Sequence, residues 1–242
     1  MNFQLSEGEI HYLWWFIQGS IMNPSTRWRL RKAWGFCNRH AWGFLQMEAA
    51  FRHGWMHGPA ILYLDIMERA WEAINVGGPF PALRLERNLR PKGPCLMCEM
   101  GYGPESTGMA KPEVIQRGRD PFELKKFAIH TQPYWRKAVC GKCMNSGSSA
   151  RCRGHLLEDF RSGSLEDLAA HQAWVRYLVN HLAVYAKSFR HGFHGTESDE
   201  DKAALISAVG WCSGWEALFA LISFSDSDRA LVFSDTELER AV

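Results

Sequence analysis

No stretch of eighteen consecutive apolar residues occurs in this chain of 242 residues, so no membrane-spanning helix is expected. The opening "MNFQLSEGEI" has acids where a signal peptide needs a basic start and an apolar stretch, and a cytoplasmic location is the expectation. An excess of positive charge is missing too. Lys and Arg number 28 against 26 Asp and Glu, a balance that argues against a nucleic-acid protein relying on a basic face. The basic segment "RWRLRKAW" (27–34) carries apolar residues at helical spacing and reads as a solvated helix face. Convincing strand alternation is likewise lacking.

What is present is an ordinary globular composition, 46% apolar and 22% charged, with eleven Trp for bulky helix packing or an aromatic pocket. The pattern is helical nearly throughout, and an all-α fold of two repeat-like halves is expected. "SEGE" (6–9) is a capping box before "IHYLWWFI", with Ser6 as N-cap and Glu9 reaching back. Asn23-Pro24 opens a short helix that stops at Gly35. A third helix is expected from about His40 to His53. A fourth spans 59–76, with Pro59 in its first turn and Gly77-Gly78 at its end. Gly and Pro then become frequent, and a boundary is placed near 77–94, separating an N-terminal helical half (1–78) from Cys-rich loops and long helices (79–242). Helices are expected from "DPFELKKFAIH" (120–130), from 164–189 with Ser164 and Asp167 as a capping box, and unbroken from about 199 to 223. Residues 140–152 read as a Gly/Ser loop, and the tail after Ser225 as polar and loosely held.

The chemistry sits in four short pairs: Cys37/His40, Cys95/Cys98, Cys140/Cys143 and Cys152/His155. A two-residue gap lets both members of a pair reach one ion, and eight ligands make two complete Cys₃His sets with only Cys212 left over. In a reducing compartment such pairs point to metal rather than disulfides. A redox dithiol, a covalent haem and an iron–sulfur cluster each fit less well. Neither CxxC sits at a helix start beside a strand, no His follows the second Cys of either, and each set contains a His. Two zinc ions per chain are expected. Local logic groups Cys140, Cys143, Cys152 and His155. Reaching back to Cys98 instead costs only about 1.7 kcal/mol more in closure entropy. A structural zinc supplies roughly 10 kcal/mol or more, so loop length does not decide the pairing.

"IMNPSTRWRLRKAWGFCNRHAWGFL", "HGPAILYLDIMERA", "PCLMC", "RCRGHLLEDF" and "YAKSFRHGF" together resemble an uncharacterised bacterial family built on a repeated CPxC…GFCxxH pattern. The resemblance covers most of the chain. The family's usual N-terminal CPxC is absent, and Cys140/Cys143 is additional. The resemblance therefore implies one site from Cys95, Cys98, Cys152 and His155 and another from Cys37, His40, Cys140 and Cys143. It implies no activity.

Two functions follow from the residues. The first is a soluble zinc protein whose sites are structural and whose Trp-rich surface meets a protein or small-molecule partner. The second is an enzyme, metal-dependent through an open metal position or built on a pocket between helices, using His53, His57, Asp65, Glu68 or His191. His53 and His57 lie at i, i+4, but Gly54 stands where a metalloprotease motif has its Glu, and Gly58-Pro59 is expected to break the helix. His191 and His194 lie at a helix-to-helix junction beside an acidic run.

Overall fold

The computed structural model describes residues 3–75, 81–163 and 168–222, and among these every regular element is helical. The chain runs through α1 (Glu7–Ile17), α2 (Pro24–Ala33), α3 (Asn38–Phe51), α4 (His57–Ile74), α5 (Pro81–Leu89), α6 (Leu96–Glu99) and α7 (Pro112–Arg119). It continues through α8 (Phe122–His130), α9 (Gln132–Trp135), α10 (Gly141–Met144), α11 (Arg153–Arg161), α12 (Leu168–Ser188), α13 (Asp199–Ser213) and α14 (Glu216–Leu221). The Gly77-Gly78 stop, the Ser164/Asp167 capping box and the tail after Ser225 lie outside the described residues.

α3 is the hub. From His40 to Ala50 every residue is buried, so this helix has no solvent face, as expected of one surrounded by others. α1, α7, α8 and α14 pack around it. α12, the longest helix, lies against α4 and α13, while α11 rests on α5. A continuous apolar core joins these layers, with Trp34, Trp42, Trp135 and Trp215 among its fully enclosed side chains.

Local chemistry explains where the first two helices start. Ser6 and Glu9 close the capping box of α1, and the Asn23 side chain caps α2 with Pro24 at its first position. Three expected boundaries need correction. α3 begins at Asn38, two residues early, because Cys37 is its N-cap. Gly58-Pro59 is not what ends the third helix, although Pro59 does fall in the first turn of α4 as expected. The break comes earlier, at His53 (φ 52°) and Gly54 (φ 82°) in the left-handed region. Finally, the expected 199–223 helix is two helices. Gly214 (φ 93°) ends α13, and its carbonyl accepts the Trp42 indole N–H at 2.9 Å.

α13 opens on a second capping box, from Ser198 and Asp201. Asp201 also pins α12 through His181 (Nδ1–Oδ1 2.6 Å). Burial acts to raise the Asp201 carboxyl. The Ser198 amide and hydroxyl and His181 outweigh it and hold the group below its usual range. A carboxyl depressed in the folded state contributes stability above its unfolded pKa, and that contribution fades as pH falls through the folded value. Asp201→Ala is therefore expected to cost about 1–2 kcal/mol at neutral pH. In urea melts, the gap to the parent should narrow as pH falls below about 4; a gap independent of pH would contradict this role.

Candidate metal centres

All four ligand pairs share one local construction. Cys37, Cys95, Cys140 and Cys152 are the N-cap residues of α3, α6, α10 and α11, and His40, Cys98, Cys143 and His155 occupy the third helical position. These are the two positions that a capping box uses, where the side chains converge over the exposed amides of the first turn. The positive end of each helix therefore faces two ligand atoms, which favours thiolate over thiol.

The pairs meet in two clusters. Cys37, His40, Cys95 and Cys98 form the first, and Cys140, Cys143, Cys152 and His155 the second, with all ligand atoms of a cluster within 4.8 Å of one another. This corrects the pairing that the family resemblance implies: the Gly/Ser loop does not reach α3. In the first cluster His40 Nδ1 lies 3.2 Å from Cys37 Sγ and 3.4 Å from Cys95 Sγ and Cys98 Sγ, and Cys37 and Cys98 are 3.7 Å apart. In the second, His155 Nδ1 lies 3.2 Å from Cys140 and Cys152 and 3.4 Å from Cys143, and Cys143 and Cys152 are 3.6 Å apart. A tetrahedral ion with metal–sulfur bonds of about 2.3 Å sets sulfur–sulfur edges of about 3.8 Å. Both clusters have that size, and each could hold a metal ion.

The first centre has a worked outer shell. His40 is 1% exposed and turns Nε2 to Glu9 Oε1 at 3.0 Å, leaving Nδ1 for the cluster. Glu9, wholly buried, also accepts two bonds from Arg39 (2.6 and 2.7 Å) and one from the Ser6 amide (2.8 Å). Burial pushes this carboxyl up, but Arg39, His40 and Ser6 together bring it down to about 2. A carboxylate on the far nitrogen of a ligating His fixes its tautomer and raises its basicity. The sequence marks Glu9 only as a capping residue, so this second role is new. Glu9→Gln is expected to weaken metal at the first centre 10- to 100-fold while the second is unchanged, as read by competition with a chromogenic chelator. Equal weakening at both centres would refute the assignment.

The residues between the ligands are used as well. Asn38 Nδ2 donates to the Ser213 carbonyl (3.0 Å), and its Oδ1 accepts from the Ala217 amide (2.9 Å), which ties the α13–α14 corner to the first centre. Arg153, in the other CxxH, runs inward to the Leu89 carbonyl (3.0 Å). Its guanidinium and that of Arg69 both face the Trp34 ring, at 5.7 and 4.3 Å. Around the second centre, Asp159 joins Lys142 (2.6 Å) and Arg151 (3.0 Å) across the loop. The loop folds tightly onto Gly141, where a Cβ would stand 2.1 Å from the Ser148 carbonyl oxygen, so only glycine fits directly after Cys140. Cys212 stays apart, buried 3.8 Å from the Met67 sulfur.

The five candidate catalytic residues do not converge. His53 borders a cleft of about 370 Å³ that also touches Glu123, His130, His194 and Glu197. His57 meets the Phe189 ring at a tilt (centroids 5.0 Å apart) and faces a different cleft. Asp65 is engaged by Arg27 (3.2 Å) and Arg31 (3.6 Å). Glu68 and His191 are exposed.

No described helix is long and apolar enough to cross a membrane. No family model, no curated protein and no solved structure matches this chain, so its two Cys₃His clusters and their outer shell are what the molecule itself offers for assigning a role.

Proposed function

We propose that the chain is a zinc protein whose two metals are structural and that it acts as an interaction or scaffold module. One observation carries this reading: each cluster supplies four ligand atoms at tetrahedral spacing. Three sulfurs and one imidazole fill the coordination of zinc and leave no position for water or substrate, which catalytic zinc requires. The thiolate-rich donor set favours zinc over magnesium, calcium or manganese. Two CxxC pairs kept as thiolates fit a reducing compartment such as the cytoplasm. The GFCxxH block at the first centre keeps the likeness to the uncharacterised bacterial family as part of the same reading.

With the metals engaged in the fold, recognition falls to the outer surface. Trp15 and Trp28 stand more than half exposed, at 59% and 58%, on α1 and α2, with Met22 at 60% on the turn between them. Large apolar side chains held out on short, rigid helices are what a partner-binding face needs. Elemental analysis of protein purified without chelator is expected to return two zinc ions per chain. Fewer than one metal per chain, or a cluster that exchanges a ligand for water in X-ray absorption spectra, would overturn the structural reading.

A further inference from the structure

A second deeply buried glutamate, outside the metal centres, is Glu48. It lies on the hub helix α3 and is 4% exposed, and among the described residues its carboxyl accepts one hydrogen bond, from the Gly58 amide to Oε1 (3.0 Å). Burial pushes its carboxyl up, against the Gly58 amide and Arg52, which act to lower it. A natural partner is at hand, because Arg52 is one helical turn away. Yet Arg52 makes no ion pair with it among the described residues, and its Nη2 donates instead to the Ile17 carbonyl (3.3 Å). An acid this enclosed that receives one side-chain hydrogen bond and borders a cleft calls for a reason.

The reason lies in front of it. Glu48 and Arg52 both border a cleft of about 340 Å³ whose other walls include Ile17, Ile21, Ile61 and Trp55. That volume suits a small molecule, and the mix of apolar walls with a few convergent polar groups is that of a ligand site. The charges define the ligand further. A lone ammonium would meet Arg52, and a lone carboxylate would meet Glu48. Only a ligand carrying both groups matches both, with an apolar portion for the isoleucine wall. Gly58 lets the carboxyl sit close to the backbone, since a Cβ there would stand 3.1 Å from Glu48 Oε1.

We propose that this cleft between α1, α3 and α4 binds a free α-amino acid with an apolar side chain, its ammonium on Glu48 and its carboxylate on Arg52. This goes beyond the scaffold reading and is independent of the metals, whose content elemental analysis reads separately. The test is calorimetry on the full zinc-loaded chain with L-leucine, 3-methylbutylamine and 4-methylpentanoate. Leucine is expected to bind, and each analogue, lacking one charged group, at least tenfold more weakly, because a site group is then left unpaired. Glu48→Gln and the exposed Arg52→Met should each lower leucine affinity at least tenfold. Absence of leucine binding up to 10 mM, or equal affinity for all three compounds, overturns the proposal (about 10 mM marks an affinity too weak to be specific). So does unchanged affinity in either variant. Should Glu48→Gln fail to fold, the three compounds on the parent protein and the Arg52 variant still decide the matter.

Discussion

Serine at position 37 is expected to strip the metal from the first centre and lower unfolding free energy by several kcal/mol, measured by urea melts alongside metal analysis. Binding energy at a site that does not exist in the unfolded chain is folding energy. Cys152→Ser should also lose one metal but cost less. The ligating imidazole of the first centre is held by the buried Glu9 carboxylate at 3.0 Å, whereas His155 has only the exposed Glu158 at 4.0 Å. A carboxylate on the far nitrogen strengthens metal binding about 10- to 100-fold. A Cys152 variant less stable than the Cys37 variant would show that something other than this outer shell governs the difference. Replacing both Cys140 and Cys143 by serine separates the centres. One metal should remain, and hydrogen exchange should quicken around 140–160 while residues 35–45 stay protected. Faster exchange at 35–45 would restore the interleaved pairing.

The second large effect is expected at Trp34. This residue ends α2 in the left-handed region (φ 64°), is fully buried, and donates its indole N–H to the Arg90 carbonyl at 3.4 Å. Its ring meets Trp211 edge-on at 6.3 Å and carries the Arg69 and Arg153 guanidiniums. Truncation to alanine removes a large buried ring and strips Arg69 and Arg153 of an aromatic face. A loss of about 3–5 kcal/mol is expected in denaturant melts, with two metals still bound at low temperature. A loss below about 1 kcal/mol would mean that neighbouring side chains collapse into the space. Loss of a metal would mean that Trp34 shapes a centre directly.

What could be read from the sequence was whatever is local. The Ser6/Glu9 box, the Asn23-Pro24 start and the four ligand pairs each depend on residues within one helical turn, and all appear in the structure where the spacing puts them. What the sequence hid was long-range. Glu9 reads as a cap because its capping partner is three residues away; its metal-shell partner His40 is 31 away and becomes a neighbour only once α1 lies on α3. The break at Gly214 was hidden because "WCSGW" is apolar enough to continue a helix. It is decided by Asn38 and Trp42, whose side chains bond the backbone of that corner. The pairing of ligands was hidden for an energetic reason. Either arrangement completes two Cys₃His sets, and the entropy difference between them is small beside a metal's contribution. The five catalytic candidates were chosen by residue type, and residue type does not report that two arginines already engage Asp65.

The order of the ligands along the chain has a consequence for synthesis. Every ligand of the first centre precedes every ligand of the second, with no crossing. As the polypeptide leaves the ribosome, the four donors of the first centre are therefore all outside before Cys140 has been made. A metal captured there meets only its proper partners, since no competing thiolate yet exists. Domains emerging N-terminus first fold in that order, and the second set, drawn from a short stretch of chain, can then close on its own soon after His155 appears. An interleaved arrangement would have left Cys37 and His40 waiting for donors a hundred residues later, with Cys95 and Cys98 offering the wrong match in the meantime.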